Sequence, residues 1–457
     1  MEHNEISDIF EGPITPVAIK IGMPILIANF VQLFYMAADT YFISLIDKSS
    51  TALLSGTGLL FPLFFLFIAI ANSLSIGIST ITGRVIGEKS RHTARHISAS
   101  GFLISLIIAL PMALIGYLFK EPFLNMLAGS EMSKEAISYG VQYFTLLLPG
   151  LVLIIFLHTL GGILIGEGMT RIIGITMILS TFINIVLDPV FIFLLSMGVA
   201  GAGLATSLSI AIAAIFMLIS SIKSNTSTPI HFNIFLARLG LIKEMILIGF
   251  PQFLSMATVS IGIMILNNLV GNIGELYMNA WTIVGRLDQI LLIPGMAVAT
   301  STVTMISQNF GRNNLDRVRL IYKHNVVLVI IMVAIAAIAY VVIVPVFFPI
   351  FSSLKEVVDA AVLQVRLTAI TYIGIGITFA SVSAFQSTGK AFPAVAMSIF
   401  RLGFITIPLA FLLVNVYDLE MMGVYLACIL GNLFIAPFSF FWTSRHLKRV
   451  TFRAVDR

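Results

Sequence analysis

The sequence predicts an all-α integral membrane protein, with twelve transmembrane helices in two six-helix lobes related by a parallel pseudo-two-fold repeat. Three observations lead there. Of the 457 residues 58% are apolar and only 10% charged, with a mean hydropathy of +1.04, whereas soluble domains carry roughly 25% charged residues. The apolar residues fall into runs long enough to cross a hydrocarbon core, which takes ~20 residues of helix. Short Gly and Pro motifs also recur at offsets of 221 to 227 residues, as expected of a duplication.

In chain order the apolar runs cover about 18–46, 52–81, 97–119, 137–164, 172–195, 199–222, 241–270, 278–308, 324–350, 357–388, 391–416 and 421–443. Polar or basic breaks separate them. With the N-terminus in the cytoplasm, 19 of the 26 Lys and Arg residues fall inside and only Lys48, Lys120, Lys134 and Lys355 outside. The positive-inside bias therefore puts both termini in the cytoplasm of a multi-pass plasma-membrane protein. The basic loops Arg84 to His96 and Arg312 to Lys323 read as orientation signals, with contact to anionic membrane lipids as a lesser role. Because the basic residues sit in these connections, the formal charge of +5 implies no nucleic-acid partner.

The longest polar break, Ile222 to Leu239, has six runs on either side and reads as a linker, giving an N-terminal lobe over 1–225 and a C-terminal lobe over 226–457. The repeat agrees with this division: IGMP ending at Pro24 returns as IGFP ending at Pro251, Gly87 pairs with Gly311, Gly168 with Gly389 and Gly201 with Gly423. Six spans per copy make the copies parallel, with the substrate path between them.

The connections are too short for a soluble catalytic domain, so an enzyme is not expected. A polytopic prenyltransferase would need paired acidic motifs, and there is no DDxxD. GRVIGEKSRHTAR does not reproduce the signature loop of major-facilitator transporters. The single cysteine, Cys428, excludes an internal disulfide and a Cys metal cluster. Glu2, Glu5, Asp8 and Glu11 at the start of the chain argue against a cleaved signal peptide.

Ionisable groups at mid-membrane cost at least ~2.5 kcal/mol each, so those inside runs are functional candidates. Counting along helices puts Asp39, Asp188 and Thr206 at one depth, ~10 Å below the outer surface. Asn184 lies one turn from Asp188 on the same face, and Pro189 leaves the Ile185 carbonyl without its helical donor. Two carboxylates, an amide, a hydroxyl and a loose carbonyl suit a hard cation such as sodium, or a shared proton. In the alternative reading Asp39 and Asp188 each satisfy a local backbone kink and never meet. Asp288 and Arg366 lie at similar depth and would neutralise one another as a charge pair. Arg401 is expected to snorkel or pair structurally, and Trp281 to anchor at an interface. Tyr35, His158 and Arg286 are candidates for lining the cleft, and for His158 lining or packing is preferred to proton coupling because it sits only ~9 Å from the inner helix end.

VQLFYMAAD at Val31 to Asp39, GILIGEG at Gly162 to Gly168, NIVLDPVFIF at Asn184 to Phe193 and GVAGAGLAT at Gly198 to Thr206 resemble the multidrug and toxic compound extrusion family, in the branch with archaeal and DNA-damage-inducible-type members. The resemblance covers essentially the whole chain. It implies a V-shaped pair of lobes around a central cleft and a cation-coupled antiporter of small organic, cationic or amphipathic compounds. It also implies a cation or proton site formed by Asp39, Asn184, Asp188 and Thr206, with Pro24 as the first-helix kink. No cofactor is expected beyond sodium or a proton as coupling ion, and a monomer is expected. Another bacterial branch carries acids in the seventh and tenth spans; here the seventh has Asn267 and Asn268 and the tenth no acid, so a sodium site of that kind is not expected in the C-terminal lobe. His158 stands where the related branch has asparagine, which puts direct transfer of substrate contacts in doubt. The alternative within the same fold is a flippase for a lipid-linked precursor, which would favour a strongly cationic cavity.

Overall fold

The computed structural model describes residues 8–46, 52–127, 133–224, 226–351 and 354–455. Among these residues there is no strand, and twelve helices are long and apolar enough to cross a membrane. We number them α1 (Ile14–Ser44), α2 (Gly56–Gly87), α3 (His92–Leu118), α4 (Lys134–Glu167), α5 (Thr170–Leu194), α6 (Gly198–Lys223), α7 (Leu239–Ile273), α8 (Glu275–Gly311), α9 (Leu315–Phe347), α10 (Lys355–Ser387), α11 (Pro393–Asn415) and α12 (Glu420–Val450).

The duplication is written in the backbone. Eight described residues have positive φ, a conformation that side chains beyond Gly resist. They form four pairs: Lys89 with Asn313, 224 apart; Gly168 with Gly389, 221 apart; and Ser196 with Asp418 and Gly198 with Glu420, each 222 apart. At Lys89, Asn313 and the two glycines 168 and 389, the left-handed residue follows a helix end, where it lets backbone amides turn back onto the last carbonyls.

By compactness the chain forms two units, residues 27–249 and residues 1–26 with 250–457. The cuts fall just beyond Pro24 and just before Pro251, inside α1 and α7, so each proline-bearing helix contributes its two halves to different units. The sequence repeat led to a boundary expected at 225/226; the packing units instead divide about two dozen residues later.

Within 27–249, α4 is the central helix. Gly162 and Gly166, one turn apart, let α2 close in: a Cβ at Gly162 would sit 2.7 Å from the Ser75 carbonyl oxygen. On the other side Gly150 faces Ser207 of α6, whose hydroxyl accepts the Gly150 amide at 3.1 Å and donates to the Leu146 carbonyl. The first half of α7 lies on α2 through Gly77 and Gly249, where backbones approach too closely for a side chain. Arg84 at the end of α2 pairs with Glu244 of α7 at 2.7 Å.

In the other unit Val17, Ala18 and Ile21 of α1 bury against Val298 and Met305 of α8 and Val318 and Tyr322 of α9. Arg317 Nε donates to the Ile9 carbonyl at 3.1 Å, as does the Asn309 side-chain amide, also at 3.1 Å. Arg312 stacks over the Phe10 ring at 4.3 Å. The basic segments thus hold neighbouring chain as well as carrying charge.

Candidate functional site

The ending of α5 and the beginning of α6 bury a carboxylate, an amide and a hydroxyl together. Asn184 and Asp188 stand one turn apart on α5, and Pro189 is followed by a π-helical stretch, Val190–Leu194. Such a bulge is what a missing amide and a displaced ladder produce. α6 can start against this bulge because Gly201 presents no side chain: a Cβ there would lie 2.7 Å from the Phe191 backbone. Gly203 meets the Tyr143 carbonyl equally tightly. The GVAGAG run is therefore a packing surface, and it delivers Thr206 to the polar face of α5.

Asp188, Asn184 and Thr206 are 0%, 1% and 3% exposed. With the amide oriented to satisfy both neighbours, Asn184 donates to Asp188 Oδ2 at 3.0 Å and accepts from the Thr206 hydroxyl and backbone amide at 3.2 Å each. Asn184 is thus the bridge between carboxylate and hydroxyl. The result is a buried carboxylate with neutral oxygen donors beside it, able to take a proton or contribute to a hard-cation site. Tyr35 and Asp39 lie on the helical backbone of α1, but their side chains fall outside the described residues. Pro24 lies inside α1, which continues through it as helix.

The second copy lacks this chemistry. The repeat offsets carry Asp188 to Leu409 or Ala410, Thr206 to Cys428 and Asp39 to Leu266. Those four residues belong to one hydrophobic cluster with Val424 and Tyr425.

The remaining sequence candidates separate. Asp288 sits in the break of α8, between the helical segments Glu275–Leu287 and Gln289–Gly311. Its partners are two phenols and not Arg366: Tyr340 of α9 donates to Oδ1 at 2.8 Å, and Tyr372 of α10 donates to Oδ2. Arg366 is exposed, as is Arg286, and neither forms an ion pair with Asp288 among the described residues. Equal depth was thus not sufficient to make a pair, because the guanidinium leaves the helix on its exposed side. Arg401 donates to Asn432 Oδ1 at 3.0 Å, a structural contact as expected. Trp281, expected as an interface anchor, packs in the same cluster as Leu266 and donates its indole N–H to Asn267 at 2.8 Å. His158 is half-buried on α4.

Sequence reasoning missed the role of Glu167, the acid of the GEG motif. Its carboxylate accepts the backbone N–H of Thr228 at 2.7 Å and of Ser227 at 3.1 Å, fastening the linker to the end of α4. An acid directly before a left-handed glycine at a helix end, where the dipole disfavours negative charge, was the available signal.

Comparison with known proteins follows the same outline. The MatE family profile matches residues 24–190 and 251–412, one match in each half. The chain is 28% identical over 427 residues to the multidrug export protein MepA of Staphylococcus haemolyticus, covering 92% of this chain and 91% of that one. Among solved structures it is similar to a MOP superfamily transporter from Pyrococcus furiosus, with a TM-score of 0.88 and 24% identity over 96% of this chain and 97% of that one. It is also similar to the MATE transporter ClbM in complex with Rb+, with a TM-score of 0.86 and 26% identity over 98% and 99% of the two chains.

Proposed function

The chain belongs to the MatE family, and from that premise we propose that it is a cation-coupled antiporter exporting small organic, cationic or amphipathic compounds by alternating access. The observation that carries this reading is the buried Asp188–Asn184–Thr206 cluster, built in one half of a duplicated fold, whose Asp188 and Thr206 have counterparts in a hydrophobic cluster in the other. A coupling site needs a carboxylate that can cycle between charged and neutralised forms, and it needs only one such site per chain.

The repeat supports Asp39 as the second carboxylate. Leu266, Leu409, Ala410 and Cys428 pack together in the second half, so the residues related to them in the first half, Asp39, Asp188 and Thr206, are proposed to share a neighbourhood. Two carboxylates repel unless a proton or a sodium ion sits between them. In this reading either ion occupies the site, the substrate displaces it or is released by it, and Pro24 lets α1 bend as occupancy changes. The protein works as a monomer in the plasma membrane with both termini cytoplasmic. The flippase reading gains nothing from the structure: a cationic cavity is not indicated by Arg286 and Arg366 on exposed faces and Arg401 committed to Asn432.

Counterflow in proteoliposomes tests the proposal. An inward sodium or proton gradient should drive accumulation of a fluorescent organic cation on the opposite side, and Asp39→Asn and Asp188→Asn should each abolish it while the protein is still made and inserted. Full transport by both variants would remove the coupling site from this cluster.

A further inference from the structure

The second half holds a polar centre of its own, at a place unrelated to the first. The region of the first half matching Asp288 is Phe61 to Phe64, which has no ionisable residue. Two irregular helices meet at Asp288: α8 is interrupted there, and α10 passes through a 3₁₀ turn, Ala369–Thr371, directly before Tyr372. In membrane proteins interrupted helices facing one another at depth mark ion or substrate sites, because irregular backbone is tolerated only where something polar uses it. Asp288 is half-buried, so it is not sealed from its surroundings.

The charged and titratable groups around it are few. Tyr340 comes from α9 and Tyr372 from α10, each donating to one carboxylate oxygen. Cys428 of α12 is within electrostatic reach of Asp288. Arg401 of α11 lies one step beyond, reached through the Asn432 amide, which donates to Thr371 Oγ1 at 3.1 Å next to Tyr372. From its own helix Arg286 is exposed, as is Arg366 of α10. No cation is paired with this acid among the described residues. An ionised carboxylate held by two neutral phenols is stabilised far less than one facing a guanidinium, so its neutral form is accessible.

We propose that Asp288, cradled by Tyr340 and Tyr372, is a second proton-binding site, separate from the Asp188 cluster. The carboxylate takes one proton and becomes a neutral acid, and one phenol hydroxyl turns away from the oxygen that received it. A proton needs a single lone pair, whereas an alkali cation needs several oxygen ligands at once, and the two phenols bonded to this carboxylate present their hydrogens to it. Protonation loosens the tie between α8 and the α9–α10 pair while leaving the Thr371–Asn432–Arg401 chain in place. The inference extends the cation-coupling reading and rests on it for its use in transport, but proton binding itself can be measured without transport.

The experiment is infrared difference spectroscopy of the purified full-length protein, titrated across the pH range in which it stays folded and following the carbonyl stretch of neutral carboxyl groups. One component should disappear in Asp288→Asn and persist in Asp188→Asn. Tyr340→Phe and Tyr372→Phe each remove a donor from the ionised form, so the midpoint of that component should move to higher pH by about one to two units, the equivalent of one charge-assisted hydrogen bond. Sodium at fixed pH should leave it unchanged. The proposal is overturned if no component depends on Asp288, if both phenylalanine variants keep the wild-type midpoint, or if sodium abolishes the Asp288 component. Loss of transport coupling in the Asp188 variant is scored separately, so failure of the first-half site and failure of this one give different results.

Discussion

Glu167→Ala should release the linker from the first half, and the size of the effect can be worked out. The wild-type carboxylate is 3% exposed and takes two backbone donors. The Thr228 amide belongs to a residue with 0% exposure and has little access to water once its acceptor is gone, so that loss is worth about 2 to 3 kcal/mol. Ser227 is exposed and recovers most of its bond from solvent. A total of about 3 kcal/mol corresponds to about a hundredfold larger open population, at 1.4 kcal/mol per factor of ten. Amide hydrogen exchange at Ser227 and Thr228 in the purified protein reads this population directly. Glu167→Gln keeps one acceptor but turns an NH2 toward the other donor, so an increase of about tenfold is expected. The remaining fastenings, Ser98 to the Pro229 carbonyl at 2.8 Å, His96 to the Leu236 carbonyl at 2.7 Å and the Phe102–Phe232 stack, should confine the opening to the first residues of the linker. Unchanged exchange at Thr228 in the alanine variant would show that the carboxylate does not hold the strap and that the reasoning fails.

Four further outcomes are expected. If the proposed site takes sodium, its sodium affinity should fall as pH falls, because protons would compete for the same carboxylate oxygens; isothermal titration at two pH values checks it, and a pH-independent affinity counts against the site. Arg366→Ala should leave the melting temperature within about 1 °C of wild type, since exposed charges contribute little, whereas Asp288→Ala should leave a buried phenol, Tyr340, and a half-buried one, Tyr372, without their acceptor and lower it clearly. Gly162→Leu should disrupt the α2–α4 contact, where even a Cβ would stand 2.7 Å from a carbonyl oxygen, and its folded yield by size-exclusion chromatography should drop sharply. Arg317→Ala should expose the segment around Phe10 to limited proteolysis, because the guanidinium tethers the Ile9 carbonyl.

The helices could be read because hydropathy is a sum over ~20 residues, and a sum tolerates local exceptions. α7, expected over 241–270, runs Leu239–Ile273; α10, expected over 357–388, runs Lys355–Ser387. The repeat was visible in four Gly and Pro matches because such residues mark backbone geometry, and Gly168 with Gly389 became two of the left-handed positions. What could not be read were partnerships. Asp288 was matched with Arg366 because opposite charge is the only pairing signal a sequence displays; two phenols from α9 and α10 are its partners instead and carry no charge to betray them. The polar break read only as a linker because Ser, Thr and Asn are turn residues, and the acceptor that fixes it, Glu167, lies 60 residues earlier in the chain. The split of α1 and α7 between two packing units was equally hidden, since each is one unbroken apolar run.

The two halves of this duplicated fold differ at one place: a polar cluster in the first half has an apolar cluster at the related positions of the second. If the surviving cluster carries the coupling ion, that sets a ceiling on what a gradient can achieve: the concentration ratio of exported compound scales as the ion ratio raised to the number of ions moved per cycle. Leu266, Leu409 and Cys428 mark where a second cluster would stand, in a backbone already shaped for it. Restoring acids there would raise the exponent, but it would also bury new charge in a packed apolar core, which costs several kcal/mol until an ion arrives. On that reading, one polar copy and one apolar copy would balance driving force against the stability of the empty protein.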